Sequence, residues 1–121
     1  AAASRVIGAV GDWATSFLLT LSVEVLVAGW LWWRRPWPRW KTAAAVVAGT
    51  SLTHPMFWFV LPWVLQDYWT YIVVGELSIV AVEAVVLASA LPAGRRESLA
   101  VSALMNGASY LIGLTLRALA G

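Results

Sequence analysis

Four long apolar runs, each closed by a short polar break, constrain this chain more than any other feature. They cover about residues 13–33, 42–65, 68–91 and 99–119. A helix needs ~20 mostly apolar residues to cross the hydrocarbon core of a bilayer, so four crossings nearly exhaust the 121 residues. Only 12% of the residues are charged and 61% are hydrophobic, whereas a soluble domain usually carries about 25% charged residues. A water-soluble fold of this length lacks the interior volume to hide so much apolar material. The sustained alternation of a membrane β-barrel strand is missing from runs such as Val23-Glu24-Val25-Leu26-Val27-Ala28. The expected fold is therefore an all-α integral membrane four-helix bundle, up-down-up-down, forming a single transmembrane domain over 1–121.

The breaks orient the bundle. The first, residues 34–41, holds four Lys/Arg, and the third, 92–98, holds Arg95 and Arg96. The opposite side has only Arg5 and Arg117. Under the positive-inside rule the two basic loops are cytoplasmic and both termini are non-cytoplasmic. The tryptophans fit this frame as two interfacial belts. Trp30, Trp32, Trp33, Trp37 and Trp40 form the inner belt, and Trp13, Trp58, Trp63 and Trp69 with Tyr68 and Tyr71 the outer one. The alternative use of these rings is a stacking site for an aromatic ligand or pigment. The N-terminal Ala-Ala-Ala-Ser shows no basic region leading into a short apolar stretch, so no retained signal peptide is expected. The absence of cysteine excludes disulfides and thiol ligands. Basic residues confined to short loops give no nucleic-acid-binding face.

Glu24, His54, Glu76 and Glu83 lie inside the apolar runs. A charged side chain at mid-bilayer costs roughly 2.5–3.5 kcal/mol on insertion scales, so such groups face the bundle, pair, or stay neutral. No Lys or Arg is available at that depth. Neutral carboxylic acids or a bound cation are the two ways to satisfy the glutamates. Counting ~1.5 Å per residue puts Glu24 and His54 roughly 16 Å below the outer face and Glu76 roughly 12 Å below it. The same count puts Glu83 roughly 12 Å and Asn106 roughly 10 Å above the inner face. Two polar layers are expected: Glu24, His54 and Glu76 above, Glu83 and Asn106 below. Each helix supplies a stripe toward this interior: Ser16, Thr20 and Glu24; Thr50, Ser51 and His54; Glu76 and Glu83; and Ser102, Asn106, Ser109 and Gly113. Pro55 cannot donate to the Ser51 carbonyl, so a kink is expected beside His54. The hydroxyls of Thr50, Ser51 and Thr53 are candidates to satisfy the freed backbone.

Gly-x-x-x-x-Gly-Lys, Gly-x-Gly-x-x-Gly, His-Glu-x-x-His and Gly-x-Ser-x-Gly are all absent. No Glu precedes a His by three residues, as helix-bundle di-iron sites require. Ser51 and His54 share a helical face but lack an oxyanion-hole signature. No enzyme, catalytic residue or metal site is expected. Thr53-His54-Pro55, Glu76 with Glu83, and Asn106-Gly107-Ala108-Ser109 followed by Gly113 resemble a loose pattern in small uncharacterised bacterial membrane proteins. That resemblance covers about half the chain and implies no activity. Length and helix count are also similar to the small multidrug resistance transporters, where Glu24 has a comparable place in the first helix. The strong charge bias, Glu76, Glu83 and His54 depart from that family, which leaves an architectural analogy.

Three functions are compatible with these residues. The first is an accessory or assembly subunit of a larger, energy-transducing membrane complex in a bacterial inner membrane, with other subunits or further copies as partners. The second is a small proton- or cation-coupled transporter or ion pathway, with Glu76 and Glu83 as carriers, His54 as relay, and Glu24 and Asn106 in the cluster. The third is a pigment- or haem-binding subunit through His54. The orientation is directly testable, because a chain without cysteine gives no labelling background. A membrane-impermeant thiol reagent applied to the non-cytoplasmic side should label Ser4→Cys and Gln66→Cys. Pro36→Cys and Arg96→Cys should stay unlabelled until detergent is added.

Overall fold

The computed structural model describes residues 1–32 and 34–121, residue 32 by its backbone. Helix α1 runs Ala2–Trp32 and α2 runs Arg39–Pro55. A π-helical turn, Met56–Val60, and the short α3, Leu61–Val64, complete the second span. Helices α4, Tyr68–Ala90, and α5, Arg95–Ala120, form the third and fourth. All four spans are long and apolar enough to cross a membrane. They pack antiparallel as a four-helix bundle: α1 lies beside α2 and α5, and α4 lies beside the same two. This is a four-span helical membrane protein.

Its burial pattern runs opposite to that of a soluble bundle. Leu26, Trp63, Leu77, Val85 and Leu119 are exposed, while Glu24, Thr50, Glu83, Ser102 and Asn106 are buried. Lipid is the solvent that makes this arrangement favourable, since hydrocarbon tolerates apolar side chains and gives polar groups no partner. The interior divides along the bundle axis. Ala28, Leu31, Trp37, Ala45, Val46, Leu87, Leu91, Val101 and Met105 form a dry apolar plug toward the basic loops. Thr42 and Ser98 are buried at this end too, whereas Glu24, Thr50, Thr53, His54, Glu83 and Asn106 lie above it, toward the termini. At the basic end Arg35 Nε meets Glu97 Oε1 at 3.5 Å, and the Arg34 guanidinium lies 4.6 Å from the Trp30 ring centre.

Three of the four spans begin outside the apolar runs that define them. α1 starts at Ala2 rather than near residue 13, and its 31 residues reach about 46 Å, past a hydrocarbon core of ~30 Å. α2 begins at Arg39 and α5 at Arg95, each about one turn early, because basic residues at the lipid boundary are good helix formers with no reason to break the backbone ladder. α4 begins where expected. Asp67 caps it by accepting from the Thr70 N–H at 2.9 Å and the Thr70 hydroxyl at 2.8 Å. Those two donors, the backbone amide first, hold the Asp67 carboxyl below its usual range.

The kink expected at Pro55 takes the form of a reset hydrogen-bond ladder. The Met56 N–H bonds three residues back to Thr53 O, and the Leu61 N–H bonds five residues back to Met56 O. In that widened register the next donor would be residue 62, which is proline and has no N–H. The Phe57 carbonyl so left over accepts from the Tyr71 hydroxyl of α4 at 2.8 Å. The Phe57 and Tyr71 rings stack at 4.7 Å. Ser51 does not join this repair, because it faces outward. Thr53 instead donates to Gly49 O at 2.9 Å.

The tryptophan belts hold only in part. Trp30, Trp40, Trp63, Trp69 and Tyr68 are exposed, as membrane anchors should be. Trp37 is a correction: the Pro36–Trp37–Pro38 turn folds its ring into the apolar plug, where it is 6% exposed. Trp13 and Trp58 are half-buried and turn toward His54. Trp33, and the side chain of Trp32, lie outside the described residues.

Gly75 is a tight point where α4 meets the π-helical turn of the second span, and a Cβ there would run into the Phe57 ring. Gly75→Val should therefore destabilise the bundle by about 1–3 kcal/mol. Gly107→Val, where a Cβ meets open space, should be nearly neutral. Unfolding titrations with denaturing detergent would measure both.

Candidate functional site

The site is assembled from one face of each span. On α2, Gly49, Thr50, Thr53 and His54 recur at helical spacing and are all buried. Gly49 permits the close approach of α4, since a Cβ there would come within 3.1 Å of Glu83 Cγ. Glu83 thereby enters the bundle between α2 and α5. α5 meets it with Asn106, and α1 brings Glu24 to the same level.

Hydrogen bonds join these groups into one network. The Thr50 hydroxyl contacts Glu24 Oε2 and also lies 3.2 Å from Glu83 Oε1. Thr53 Oγ1 is 3.2 Å from the same Glu83 oxygen. Asn106 Nδ2 donates to Glu83 Oε2 and, at 2.9 Å, to Ser102 O. The second bond fixes the amide orientation, because a flipped Asn106 would set its own oxygen against a carbonyl. Ser102 Oγ donates to Val80 O at 2.8 Å, tying α5 to α4 one turn from Glu83. Four buried side chains, one from each span, are thus linked to one another without a basic residue among them.

The two layers expected from depth counting are therefore divided differently. Glu24 is joined to Glu83 and Asn106 through Thr50 rather than grouped with Glu76. The counted depths allow this: roughly 16 Å from one face and roughly 12 Å from the other nearly meet across ~30 Å of hydrocarbon. Glu76 sits two turns above Glu83, half-buried, on the wall of a cavity. His54 is also buried. Its Nε2 lies 3.5 Å from Thr20 Oγ1, and its ring contacts Phe17 edge-on at 5.6 Å and stacks with Trp58 at 6.3 Å. Ser51 is exposed while His54 is buried, and the two share no hydrogen bond among the described residues.

The cavity has a volume of about 110 Å³. Ser16, Thr20 and Glu24 line it from α1, and Thr50, Thr53, His54 and Trp58 from the second span. Tyr68, Glu76 and Glu83 line it from α4, and Asn106, Ser109, Gly113 and Arg117 from α5. All four stripes read from the sequence contribute to it, with Ser51 replaced by Thr53 and Ser102 turned instead to the α4 backbone. Two buried atoms of these linings, Glu24 Oε1 and His54 Nδ1, have no protein partner, and Glu24 as a residue is 0% exposed. Among the described residues, no three His, Asp or Glu side chains come together as a metal-binding group.

Arg117 and the direct role of Thr50 were the parts sequence reasoning missed. Arg117 sits four residues beyond Gly113 on the same face of α5, so extending the stripe by one step would have found it. Thr50 needed the third dimension, because nothing in its own helix shows that two carboxyls arrive from two others.

Removing Asn106 leaves Glu83 Oε2 without its amide donor, and an unpaired buried acceptor costs about 1–3 kcal/mol. Asn106→Ala should lower stability by that amount in detergent unfolding. Ser78→Ala, on an exposed face, should fall within about 0.5 kcal/mol of the parent. No protein family, curated protein or solved structure matches the chain.

Proposed function

We propose that the protein is a non-enzymatic proton or cation pathway, taking its ion from the side of the termini to the Glu24–Thr50–Glu83–Asn106 network at mid-membrane. The observation that carries this reading is the polar cavity, which extends from Arg117 and Tyr68 down to Glu24, Glu83 and Asn106 and stops above the apolar plug. Intramembrane carboxyls and histidine lining a wet path are the usual mark of such routes.

The dimensions favour a small ion. From Asn106 to Arg117 the α5 wall is eleven residues long, roughly 16 Å by helix rise. A volume of about 110 Å³ spread over that length holds a short file of waters. It does not hold a tetrapyrrole, so the pigment reading through His54 gains nothing from this geometry. The plug argues for carrier-like turnover over an open pore, since a file of water that ends in Leu31, Leu87 and Met105 has no continuation. With the basic loops cytoplasmic, the mouth faces outward from a bacterial inner membrane.

One observation favours the assembly reading alongside this one. Residues 1–12 are exposed along their whole length, with Val6 and Ile7 at 62% and 72%. A second subunit or another copy of the chain would cover them.

In proteoliposomes holding a pH-sensitive dye, an imposed membrane potential should drive proton movement through the wild-type protein. Glu76→Gln should abolish it while leaving helicity and thermal stability unchanged. Undiminished flux in that variant would remove the cavity from the path.

A further inference from the structure

A second hollow lies on the lipid-facing side of the bundle, between the second span and α4. Its volume is about 320 Å³. Leu52, Met56 and Val60 line it from one side and Ser78 and Val82 from the other, all of them exposed. Gly75 lies buried at its back, where the Phe57 ring rests against the α4 backbone.

The lining offers nothing to a polar ligand. Its two hydroxyls are committed to their own helices: Ser78 donates to Val74 O at 2.6 Å and Thr53 to Gly49 O at 2.9 Å. Among the described residues no charged side chain lines it. Gly75 is seven residues and Val82 fourteen residues beyond the start of α4 at Tyr68. That places the groove roughly 10–21 Å along the span from the side of the termini, at hydrocarbon depth in a core of ~30 Å. The stretches 52–61 and 75–82 make it roughly 10–14 Å long by helix rise. Dividing about 320 Å³ by that length gives a cross-section on the order of 30 Å², whereas a helix ~10–12 Å across needs roughly 80 Å² or more. A helix of another subunit would bridge the groove rather than fill it. One extended hydrocarbon chain fills it.

Thr53, Phe57 and Ile79 line this groove and the polar cavity alike. A single layer of side chains therefore separates lipid from the space that Glu76 and Glu83 face. Phe57 is the largest of the three and is held from two sides. Its ring stacks on Tyr71 at 4.7 Å, and its carbonyl accepts from the Tyr71 hydroxyl at 2.8 Å.

We propose that the groove seats one acyl chain of a phospholipid from the leaflet on the side of the termini, and that Phe57 is the partition that keeps this chain out of the polar cavity. The site is independent of ion movement and stands whether or not the cavity conducts. A phospholipid fits better than a free fatty acid, because the lining has no group to hold a carboxylate at that depth. The headgroup stays at the membrane surface, so its chemical type should make no difference.

The experiment uses the full chain in phosphatidylcholine nanodiscs doped with phosphatidylcholine that carries a photoactivatable diazirine at mid-chain. Labelled residues are located by peptide mass spectrometry. Every lipid-facing residue supplies background, so the measure is label at Met56, Val60 and Val82 relative to Leu18 and Leu111. Those two are exposed on α1 and α5, six residues above Glu24 and five above Asn106, and so match the depth of the groove. The groove residues should exceed them by about fivefold, a modest preference over bulk lipid. Ser78→Phe fills the groove from its rim and should remove the excess. Should it fail to fold, Val82→Trp fills the same space and should remove the excess at Met56 and Val60. Leu77→Phe, exposed outside the lining, should leave it intact. Glu76, on the cavity side, should be unlabelled in the wild type and labelled in Phe57→Ala, or in Phe57→Val if the alanine variant does not fold.

Equal labelling of the groove and of Leu18 and Leu111 would overturn the seat. Stronger labelling of the groove by a diazirine fatty acid at equal chain concentration would overturn the phospholipid as occupant. Disulfide-linked dimers of Ser78→Cys in the nanodiscs would put a second copy there instead. Label on Glu76 in the wild type, or none in a folded Phe57 variant, would overturn the partition.

Discussion

A threonine hydroxyl shared by two carboxyl groups from different helices sets the terms for this bundle. In hydrocarbon, neither Glu24 nor Glu83 can turn to solvent, and no basic side chain lies within reach. Each must find hydrogen-bonding partners on a neighbouring span, and the partners found are short: Thr50, Thr53 and Asn106. Short partners force close helices. Gly49 facing Glu83 and the Ser102 bond to the α4 backbone are what that closeness looks like on either side. Association of the four spans is thus tied to the satisfaction of two acids, in a medium where apolar packing alone distinguishes poorly between helix and lipid.

The same requirement separates the interior into two solvents. Toward the termini the walls carry hydroxyls, an imidazole and carboxyls, and the space between them admits water. Toward the basic loops, Leu31, Trp37, Leu87, Leu91 and Met105 pack into an apolar core. Glu24 and Glu83 sit on the boundary.

Much of this was legible in the chain. Four apolar runs and their basic breaks specify the spans and their alternation, because the bilayer imposes length and backbone satisfaction at once. The stripes on α1 and α5 were also readable, since Ser16, Thr20, Glu24 and Ser102, Asn106, Ser109, Gly113 recur at helical spacing. The failures came where one residue type serves two purposes. Trp37 has the composition of an anchor, but the two flanking prolines turn it inward. Ser51 and Thr53 are equally polar and two residues apart, so only the rotation of α2 against its neighbours decides which one enters the core. Depth counting grouped Glu24 with Glu76 because it measured each helix from its own end and never compared the two scales.

The second span is not one rod. Between Pro55 and Pro62 its backbone ladder changes register and is fastened to α4 by a single phenolic hydroxyl. Thr50 and Thr53 belong to the regular helix on one side of this break, whereas Trp58, beside the mouth, belongs to the other. The span therefore carries a mechanical joint between the floor of the cavity and its rim. Tilting the outer segment would change the width of the opening, and would break the phenol–carbonyl bond and slide the Phe57 ring against Tyr71 and Gly75.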